Sequence, residues 1–306
     1  MMMKWIWLAA ALALALGAAV KALASPERPS MSSLFNALVS ERVAIRPNIA
    51  YGPLNRQRLD VYEAAADSKR KAIVLFFYGG GWRDGDRATY QFVGAALAAQ
   101  GLTTVIADYR LFPEVGFPAF MQDAALAYGW VDAHLNAVEG NAPIILMGHS
   151  AGGYIAALLA LDRRYLAEVA PGAQKPAGVV GLAGPYAFDP TNWPSTREIF
   201  VGAAADPDAA RPVAFVTPEA PPMLLLRGLA DETVRDFNAE ELAKALRANQ
   251  VEVDLRQFAG ISHSGLVLAL SRPLRWRAPV LRDSVAFIDA IIAQKNQGAS
   301  ISGRKG

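Results

Sequence analysis

Residues 142–161, which read APIILMGHSAGGYIAALLAL, decide the fold of this chain. The segment opens with a short apolar run typical of a buried strand and closes with an Ala- and Leu-rich run typical of a helix. Between them lies a G-x-S-x-G motif around Ser150, whose glycines suit a crowded, tight turn. A serine held in such a strand-to-helix turn presents its hydroxyl as a nucleophile. The alternative is a glycine-rich turn that merely packs a helix, and the flanking strand and helix patterns favour the nucleophile.

Strand and helix patterns alternate along the rest of the chain. Strand-like runs lie at residues 42–49, 58–62, 71–78, 102–109, 142–147, 177–182, 222–227 and 251–258. Helix-like runs lie at residues 89–100, 118–138, 151–162, 238–249 and 279–295, with a further short helix at 32–39. The alternation predicts one α/β domain over residues 42–295, in which helices flank a mostly parallel central sheet. Short turns between the first strands predict that these are antiparallel.

Two segments break this rhythm. Residues 184–222 carry eight prolines and no clear hydrophobic period, which predicts a long loop or a small insertion over the carboxyl edge of the sheet. Loops of that length in compact domains often form lids or binding elements. The polar residues 296–306 are predicted to be a disordered tail.

Residues 1–24 have the anatomy of a secretory signal peptide. Lys4 precedes an apolar run of 16 residues, and Ala22-Leu23-Ala24 then offers an A-x-A cleavage site. The run is shorter than the roughly 20 apolar residues of a membrane span. An uncleaved anchor is the alternative, because Lys21 flanks the run and a tilted helix or a thinned bilayer would accept it. Either outcome predicts that the body of the protein lies outside the cytoplasm, in the periplasm or the extracellular medium.

Composition excludes several classes of protein. With 30 basic and 28 acidic residues, 53% hydrophobic residues and 19% charged ones, the chain is too apolar for a disordered protein. It lacks the basic excess of a nucleic-acid-binding protein. No cysteine is present, which excludes disulfides, thiol catalysis and iron–sulfur clusters. Nothing indicates membrane association beyond the leader, and composition leaves the oligomeric state open.

A glycine-rich loop follows the strongest strand-like run. The motif Tyr78-Gly79-Gly80-Gly81-Trp82 leaves backbone amides uncrowded, so that the amides of Gly80 and Gly81 could stabilise a developing oxyanion near the serine. The amide of Ala151, at the start of the helix after Ser150, is the third candidate donor. Trp82 is predicted to form a wall of the substrate pocket. A plain turn or a phosphate-binding loop is the alternative, but the residues after the glycines do not fit a phosphate loop.

A serine nucleophile needs a base, and the chain has three histidines. His149 is predicted to point away from the site, because neighbouring side chains in a turn diverge. His134 is predicted to lie on a solvated helix face. His263 lies in a loop after a late strand, where the order Ser, Asp/Glu, His places the base.

The carboxylate that orients the base should follow the preceding strand. Residues 222–227 form that strand, and Asp231 lies at its exit. The adjacent Glu232 is the second candidate. Asp231 is favoured because its position is closer to the carboxyl end of the strand.

These motifs together resemble those of the α/β-hydrolase superfamily. Within it, FYGGGWRDGDR (77–87), DYRLFPEVGFPAFMQD (108–123), GHSAGG (148–153), RGLADETV (227–234) and the His263 loop resemble the hormone-sensitive-lipase-like carboxylesterases. The same motifs resemble even more strongly those of the smaller bacterial branch of feruloyl-esterase-like and arylformamidase-like proteins. The resemblance covers roughly residues 55–290.

The resemblance implies a fold, a site and a reaction. It implies a catalytic triad of Ser150, Asp231 and His263, and an oxyanion hole built from the amides of Gly80, Gly81 and Ala151. It implies hydrolysis of a small carboxylic ester, with a short acyl or an aryl group, through an acyl-enzyme. Neither a metal nor an organic cofactor is needed.

The sequence departs from the family pattern in two places. Tyr78 stands where these families usually have histidine at the start of the glycine motif, and it is predicted to support the loop without reacting. The short stretch between the leader and the first strand leaves room for only a small cap or none. Arg110 and Glu114 are predicted to pair and to hold the exit of the strand before them.

Two further functions stay open at this stage. The same triad would serve an arylformamidase, another amidase or a peptidase, which differ only in the leaving group. A non-catalytic binding protein on the same fold is the third hypothesis, but such a protein would be expected to lack a member of the triad.

Overall fold

A computed structural model describes residues 41, 43–64, 70–136 and 138–302, and the fold below concerns these residues. Eight strands form one sheet: β1 (Ile45–Ala50), β2 (Arg58–Tyr62), β3 (Ile73–Phe77), β4 (Thr103–Ala107), β5 (Ile144–His149), β6 (Gly178–Leu182), β7 (Met223–Gly228) and β8 (Val253–Phe258). Their spatial order is β1-β2-β4-β3-β5-β6-β7-β8.

The direction of the strands divides the sheet into two parts. Strand β2 runs antiparallel to β1, as the short turn between them predicted, and also to β4. Strands β3 to β8 are parallel, so that their carboxyl ends meet at one edge. Every residue of β3 to β7 is buried, which explains why these strands read as continuous apolar runs.

Helices cover the sheet between the strands. They are α1 (Gln91–Ala98), α2 (Ala119–Val131), α3 (Ala151–Leu161), α4 (Arg163–Val169), α5 (Phe237–Ala248), α6 (His263–Leu268) and α7 (Val280–Ser302). Helix α3 packs against β5 and β6 and is buried along its whole length, because it lies under neighbouring helices as well as over the sheet. None of the helices in the described part of the chain combines the length and the apolarity that a membrane span requires.

Several predicted boundaries need correction. The closing helix α7 continues to Ser302, so the tail predicted to be disordered from residue 296 is helical over its first part, and residues 303–306 lie outside the described residues. Adding residues to an existing helix is easier than starting one, and the sequence pattern missed this extension. The α-helix predicted through residue 138 ends at Val131 and is followed by one turn of π-helix, Asp132–Asn136.

Other differences concern short elements. Helix α4 was not predicted, and His263, predicted to lie in a loop, is the first residue of α6. Residues 184–222 contain three short 3₁₀ turns, Val201–Ala203, Pro207–Ala210 and Pro212–Phe215. The predicted leader at 1–24 and the predicted helix at 32–39 lie outside the described residues.

Candidate active site

Ser150 stands at the sharp turn between β5 and α3. Its backbone has φ 54° and ψ −122°, a conformation that costs a non-glycine residue about 1–3 kcal/mol. The turn is held because the Ser150 amide donates to the carbonyl of Leu182 at 2.9 Å and the Ser150 carbonyl accepts from the Tyr154 amide at 3.0 Å. The glycine at position 152 is required, since a Cβ there would lie 2.0 Å from the carbonyl oxygen of Phe77. These contacts therefore hold the backbone of Ser150 in its strained conformation.

The glycine loop, residues 79–81, passes directly against this turn. A Cβ on Gly79 would lie 3.0 Å from Cβ of Ser150, which only a glycine permits. Gly80, Gly81 and Trp82 follow with φ of 133°, 60° and 60°, so the chain makes three successive left-handed steps. The amides of residues 83 and 84 donate to the Gly80 carbonyl and close the turn.

Three residues of the glycine loop and of the turn around Ser150 have backbone amides without an acceptor among the described residues. Gly81 and Ala151 line the same cavity as Ser150. Gly80 lies behind them, packed against the carbonyl of Asp84. Within the described residues, the amides of Gly80, Gly81 and Ala151 donate to no acceptor. This arrangement leaves donors for a developing negative charge beside the serine.

Asp231 and His263 form a hydrogen-bonded pair. Nδ1 of His263 lies 2.8 Å from Oδ2 of Asp231, and the amides of Thr233 and Val234 each donate to Oδ1 at 2.9 Å. Burial raises the pKa of the Asp231 carboxyl, but the hydrogen bonds from His263 and the two amides outweigh it and hold the pKa below its usual range. Asp231 is thus an ionised acceptor that fixes the orientation of the imidazole.

Glu232 takes no part in this pair. Its side chain is exposed to solvent, whereas only 1% of the Asp231 side chain is accessible. The first of the two candidate carboxylates is therefore the one that the structure brings to His263. The turn after β7 sets this choice, because Asp231 also accepts from the amides of Thr233 and Val234.

The turn around Ser150 and the histidine of α6 meet through His149. The rings of His149 and His263 are 4.7 Å apart, and Nε2 of His149 lies 3.1 Å from the carbonyl oxygen of His263. His149 was predicted to point away from the site, but its ring lies against His263 and its Nε2 faces the His263 backbone. Oγ of Ser150 and Nε2 of His263 make no hydrogen bond to any described residue, and Ser150 lines a cavity.

His134 lies far from this group. Its ring is exposed and stacks on Trp130 with 4.6 Å between ring centroids, which confirms the predicted solvated position.

A cavity of about 170 Å³ opens beside Ser150. Its aromatic and apolar walls come from the glycine loop, from the segment after β6, and from the first residues of α5 with the turn before them. The lining residues are Gly81, Trp82, Ser150, Ala151, Pro185, Phe188, Trp193, Ser195, Thr196, Thr233, Val234, Arg235, Phe237 and Asn238. Sequence reasoning found the first four; the others lack a motif, although the proline-rich segment signalled a binding element.

Trp82 is fixed in this wall by other aromatic rings. It is 3% exposed and meets Tyr154 and Phe200 edge to face at 5.2 and 5.0 Å. Phe200 comes from the segment after β6, so that segment and the glycine loop share one aromatic cluster. Trp82 thus lines the cavity beside Ser150.

The segment 184–222 is tied down at several points. Oδ1 of Asn238 accepts from the amides of Ala187 and Phe188 at 3.0 Å. The guanidinium of Arg211 donates twice to the Ala187 carbonyl, and the hydroxyl of Tyr154 donates to the carbonyl of Ala210 at 2.8 Å. The segment is therefore a packed wall of the cavity, and Trp193 at its rim keeps 52% exposure.

Tyr78 supports the glycine loop from behind. Its hydroxyl donates to Oδ1 of Asp108 at 2.8 Å and accepts from Nη2 of Arg56 at 2.9 Å. The same Arg56 nitrogen donates to the carbonyl of Gly85. Burial, followed by nearby Tyr109 and Asp108, raises the pKa of Tyr78 far above its usual range, so the phenol stays neutral. The supporting contacts predicted for Tyr78 are present.

The predicted ion pair between Arg110 and Glu114 is wrong. Arg110 instead binds Asp123 of α2 through Nε and Nη2, and the Arg110 amide also donates to this carboxylate. Asp123 is fully buried, and a buried carboxylate requires a charged partner. Glu114 is exposed and needs none.

No metal-binding cluster of three or more His, Asp or Glu side chains occurs among the residues that the structure describes.

The chain resembles known proteins over most of its length. The family model described as BD-FAE matches residues 59–246. The esterase LipC of Mycobacterium tuberculosis is 30% identical over 259 residues, which is 78% of this chain and 64% of that protein. Isoprenylcysteine alpha-carbonyl methylesterase ICME of Arabidopsis thaliana is 26% identical over 83% of this chain and 64% of its own length. The chain thus spans somewhat less than two thirds of these curated relatives.

Solved structures share the fold. Esterase B from Lactobacillus rhamnosis, inhibited by a tributyrin phosphonate, superimposes with a TM-score of 0.71 at 21% identity, covering 95% of this chain and 98% of that one. With the mostly parallel eight-stranded sheet, this likeness confirms the predicted α/β-hydrolase fold.

Proposed function

Because the chain belongs to the BD-FAE family, we propose that it is a serine hydrolase that cleaves small carboxylic esters. One observation carries the proposal: a part-buried Asp231–His263 pair stands beside a strained serine turn whose neighbouring amides are free. The names of the relatives support the same chemistry, since LipC and ICME are both described as esterases.

In the proposed reaction, Ser150 is the nucleophile and His263 the base. Oγ of Ser150 attacks the ester carbonyl while Nε2 of His263 takes the hydroxyl proton. Asp231 accepts a hydrogen bond from Nδ1, holds the imidazole in the tautomer that exposes Nε2 as the acceptor, and stabilises the imidazolium. His263 then protonates the leaving alcohol, and an acyl-enzyme remains.

The second half of the reaction uses the same groups. His263 removes a proton from water, the hydroxide attacks the acyl carbonyl, and the proton returns to Ser150 as the acid leaves. The amides of Gly81 and Ala151, with Gly80 behind them, stabilise the oxyanion in both halves. Removal of one such donor in other serine hydrolases costs about 10²–10³ in kcat.

The size of the cavity sets the expected substrate. A volume of about 170 Å³ is below the roughly 300–1,000 Å³ typical of sites for drug-sized ligands. Aromatic side chains from Trp82, Phe188 and Phe237 line it. We therefore expect a short acyl group, up to about hexanoyl, or a small aryl group, because longer chains would keep CH₂ groups in water that contribute about 0.8 kcal/mol each only when buried.

A panel of chromogenic esters tests the proposal. Acetyl to dodecanoyl esters, feruloyl esters and N-formyl aromatic amines are compared by kcat/KM for the wild type and Ser150→Ala. We expect the highest values on short or aryl esters and a loss of about 10⁶-fold in turnover in the variant. Preference for the N-formyl compounds would point to an amidase, and near-native rates in Ser150→Ala would contradict the proposed nucleophile.

We also propose that the protein works outside the cytoplasm, from the signal-peptide pattern of residues 1–24. Mass spectrometry of the native N-terminus tests this. Cleavage predicts a chain that starts at Ser25, whereas a membrane-bound chain that retains Trp5 would indicate an anchor.

A further inference from the structure

His149 is a buried histidine to which the proposed reaction gives no role. It is the last residue of β5, it precedes Ser150, and only 4% of it is exposed. Burial of a histidine ring normally requires partners for its two nitrogens. In His149, Nε2 has a partner, the backbone carbonyl of His263, and His263 is the proposed base.

The hydrogen bond defines the tautomer of His149. Nε2 lies 3.1 Å from the carbonyl oxygen of His263, and a carbonyl oxygen only accepts, so Nε2 carries the proton. Nδ1 is then unprotonated; it is buried and has no partner in the described part of the chain. It faces Gly79, where a Cβ would approach it to 2.9 Å.

The surroundings keep His149 neutral. Burial lowers the pKa of His149 to about 3, with a further lowering from His263, while the hydrogen bond to the His263 carbonyl and the charge of Asp231 oppose this. A protonated Nδ1 would be a buried donor without an acceptor, beside an imidazole that must itself become positive during the reaction. His149 therefore donates through Nε2 without competing for that charge.

The contact joins the two reacting side chains by a short path. His149 is covalently adjacent to Ser150, its Nε2 binds the backbone of His263, and its ring lies 4.7 Å from the His263 ring. A displacement of about 1 Å between reacting groups can cost about 10²-fold in rate. The hydrogen bond from His149 is thus a second contact, beside the one from His263 to Asp231, that sets the position of the base relative to the nucleophile.

We propose that His149 is a positioning residue, which holds the backbone of His263 through its Nε2–H and so sets the distance between the nucleophile and the base. This inference rests on the proposed function, because positioning matters only if Ser150 and His263 react together. It differs from simple space filling, for which the ring alone would suffice and the N–H would be dispensable.

Three variants separate these roles. His149→Phe keeps a ring and removes the donor, His149→Gln keeps a donor near the position of Nε2, and His134→Phe is the matched control on an exposed histidine. In His149→Phe we expect kcat on the best ester to fall about 10–100-fold with KM within about twofold. In His149→Gln we expect recovery to within about tenfold of the wild type, and in His134→Phe no change.

A spectroscopic measurement does not depend on turnover. The proton on Nδ1 of His263, bound to Asp231, is expected to give a separate low-field NMR signal, which Asp231→Asn should remove. We expect this signal to persist in His149→Gln and to broaden through exchange with water in His149→Phe, because the His263 backbone is then no longer held. If His149→Phe folds poorly, the His149→Gln protein still supplies a test. This variant keeps the donor, so loss of the NMR signal in the folded protein would contradict the positioning role.

The outcomes distinguish the two proposals. Equal kcat and an unchanged NMR signal in the folded His149→Phe protein would overturn the positioning role, as would failure of Gln to perform better than Phe. If the wild type hydrolyses none of the esters or N-formyl compounds, the proposed function fails, while the NMR comparison still decides whether His149 holds His263.

Discussion

Two aspartates at the carboxyl edge of the sheet, Asp108 after β4 and Asp231 after β7, bind different kinds of partner. Oδ1 of Asp108 accepts from the Tyr78 hydroxyl and from the Arg87 amide, both at 2.8 Å, and its other oxygen pairs with the Arg87 guanidinium. Asp231 accepts from two amides and from His263. Both carboxylates are buried and fully bonded; only the nature of the cation or donor differs.

The partner of each aspartate determines whether the pair has a structural or a catalytic role. An arginine keeps its charge at all ordinary pH values, so the Asp108 pair is a fixed brace behind the glycine loop. An imidazole can gain and lose a proton near neutral pH, so the Asp231 pair can take part in proton transfer. We therefore expect changes at Asp108 to act on stability and changes at Asp231 to act on turnover.

The largest expected effect is that of Asp231→Asn. The amide keeps the shape of the carboxyl group but cannot hold His263 in the working tautomer or stabilise its charge, so kcat should fall about 10⁴-fold. Ester hydrolysis and thermal unfolding, measured on the same preparation, check this. Retention of kcat within tenfold of the wild type would mean that the pair is only structural.

The next largest effect concerns the pH dependence of stability at His149, whose ring lies against the His263 of the Asp231 pair. The pKa of His149 is lowered to about 3 in the folded protein. Between that pH and about 6.5, the unfolded chain therefore binds a proton at His149 that the folded chain does not bind. The stability that this provides is complete above about pH 6.5 and is lost as the pH falls towards 3. Between pH 7 and pH 4 the wild type should lose about 3 kcal/mol more than His149→Gln.

Urea unfolding at both pH values measures this difference. The lowered pKa of Asp231 also removes stability in acid, as the pH falls through the pKa of the folded state, but it does so in both proteins and largely cancels in the comparison. The arginine partners of Asp108 keep their charge throughout this range. Parallel pH profiles for the wild type and His149→Gln would show that His149 titrates alike in the folded and unfolded chains.

A smaller effect is expected for Asp108→Asn. The substitution weakens the charged contact to Arg87, although Asp60 still binds the Arg87 guanidinium at 2.8 Å. The free energy of unfolding should fall by about 2 kcal/mol. The kcat of the folded fraction should stay within about threefold of the wild type, measured below the onset of unfolding. A large loss of kcat without a loss of stability would remove the distinction between the two aspartates.

The smallest effect is expected for Glu232→Gln, the neighbour of Asp231. Its exposed side chain lies outside the pair, so kcat should change less than about tenfold. If Glu232→Gln proved more harmful than Asp231→Asn in the same assay, the orienting carboxylate would be Glu232.

Sequence reasoning reached the strands and the motif residues because both depend on local patterns. Apolar runs such as β3 and β5 are buried on both faces, and the glycines around Ser150 answer steric demands that only glycine meets. The confirmed antiparallel start of the sheet followed from short connections. These features involve few residues and short separations.

What the sequence did not reveal depends on contacts between distant segments. Arg110 could be paired with its neighbour Glu114 by proximity in the chain, but its partner is Asp123, because the fold of α2 buries that carboxylate completely. The direction of His149 depends on where the backbone of His263 comes to lie, 114 residues later. The cavity wall at Phe188 is held by Asn238 of α5, 50 residues later, and by Arg211, which binds the adjacent Ala187 carbonyl; no periodic pattern encodes such contacts.

The central claim, that the strained serine is the nucleophile, is tested most directly by covalent labelling. A fluorophosphonate reagent is incubated with the wild type, Ser150→Ala and Asp231→Asn, and the adduct is located by peptide mass spectrometry. We predict one adduct, on Ser150, which is absent from Ser150→Ala and forms much more slowly in Asp231→Asn, because the base has lost its orienting carboxylate. An adduct on another residue, or labelling of Ser150 at equal rates in the wild type and Asp231→Asn, would contradict the account.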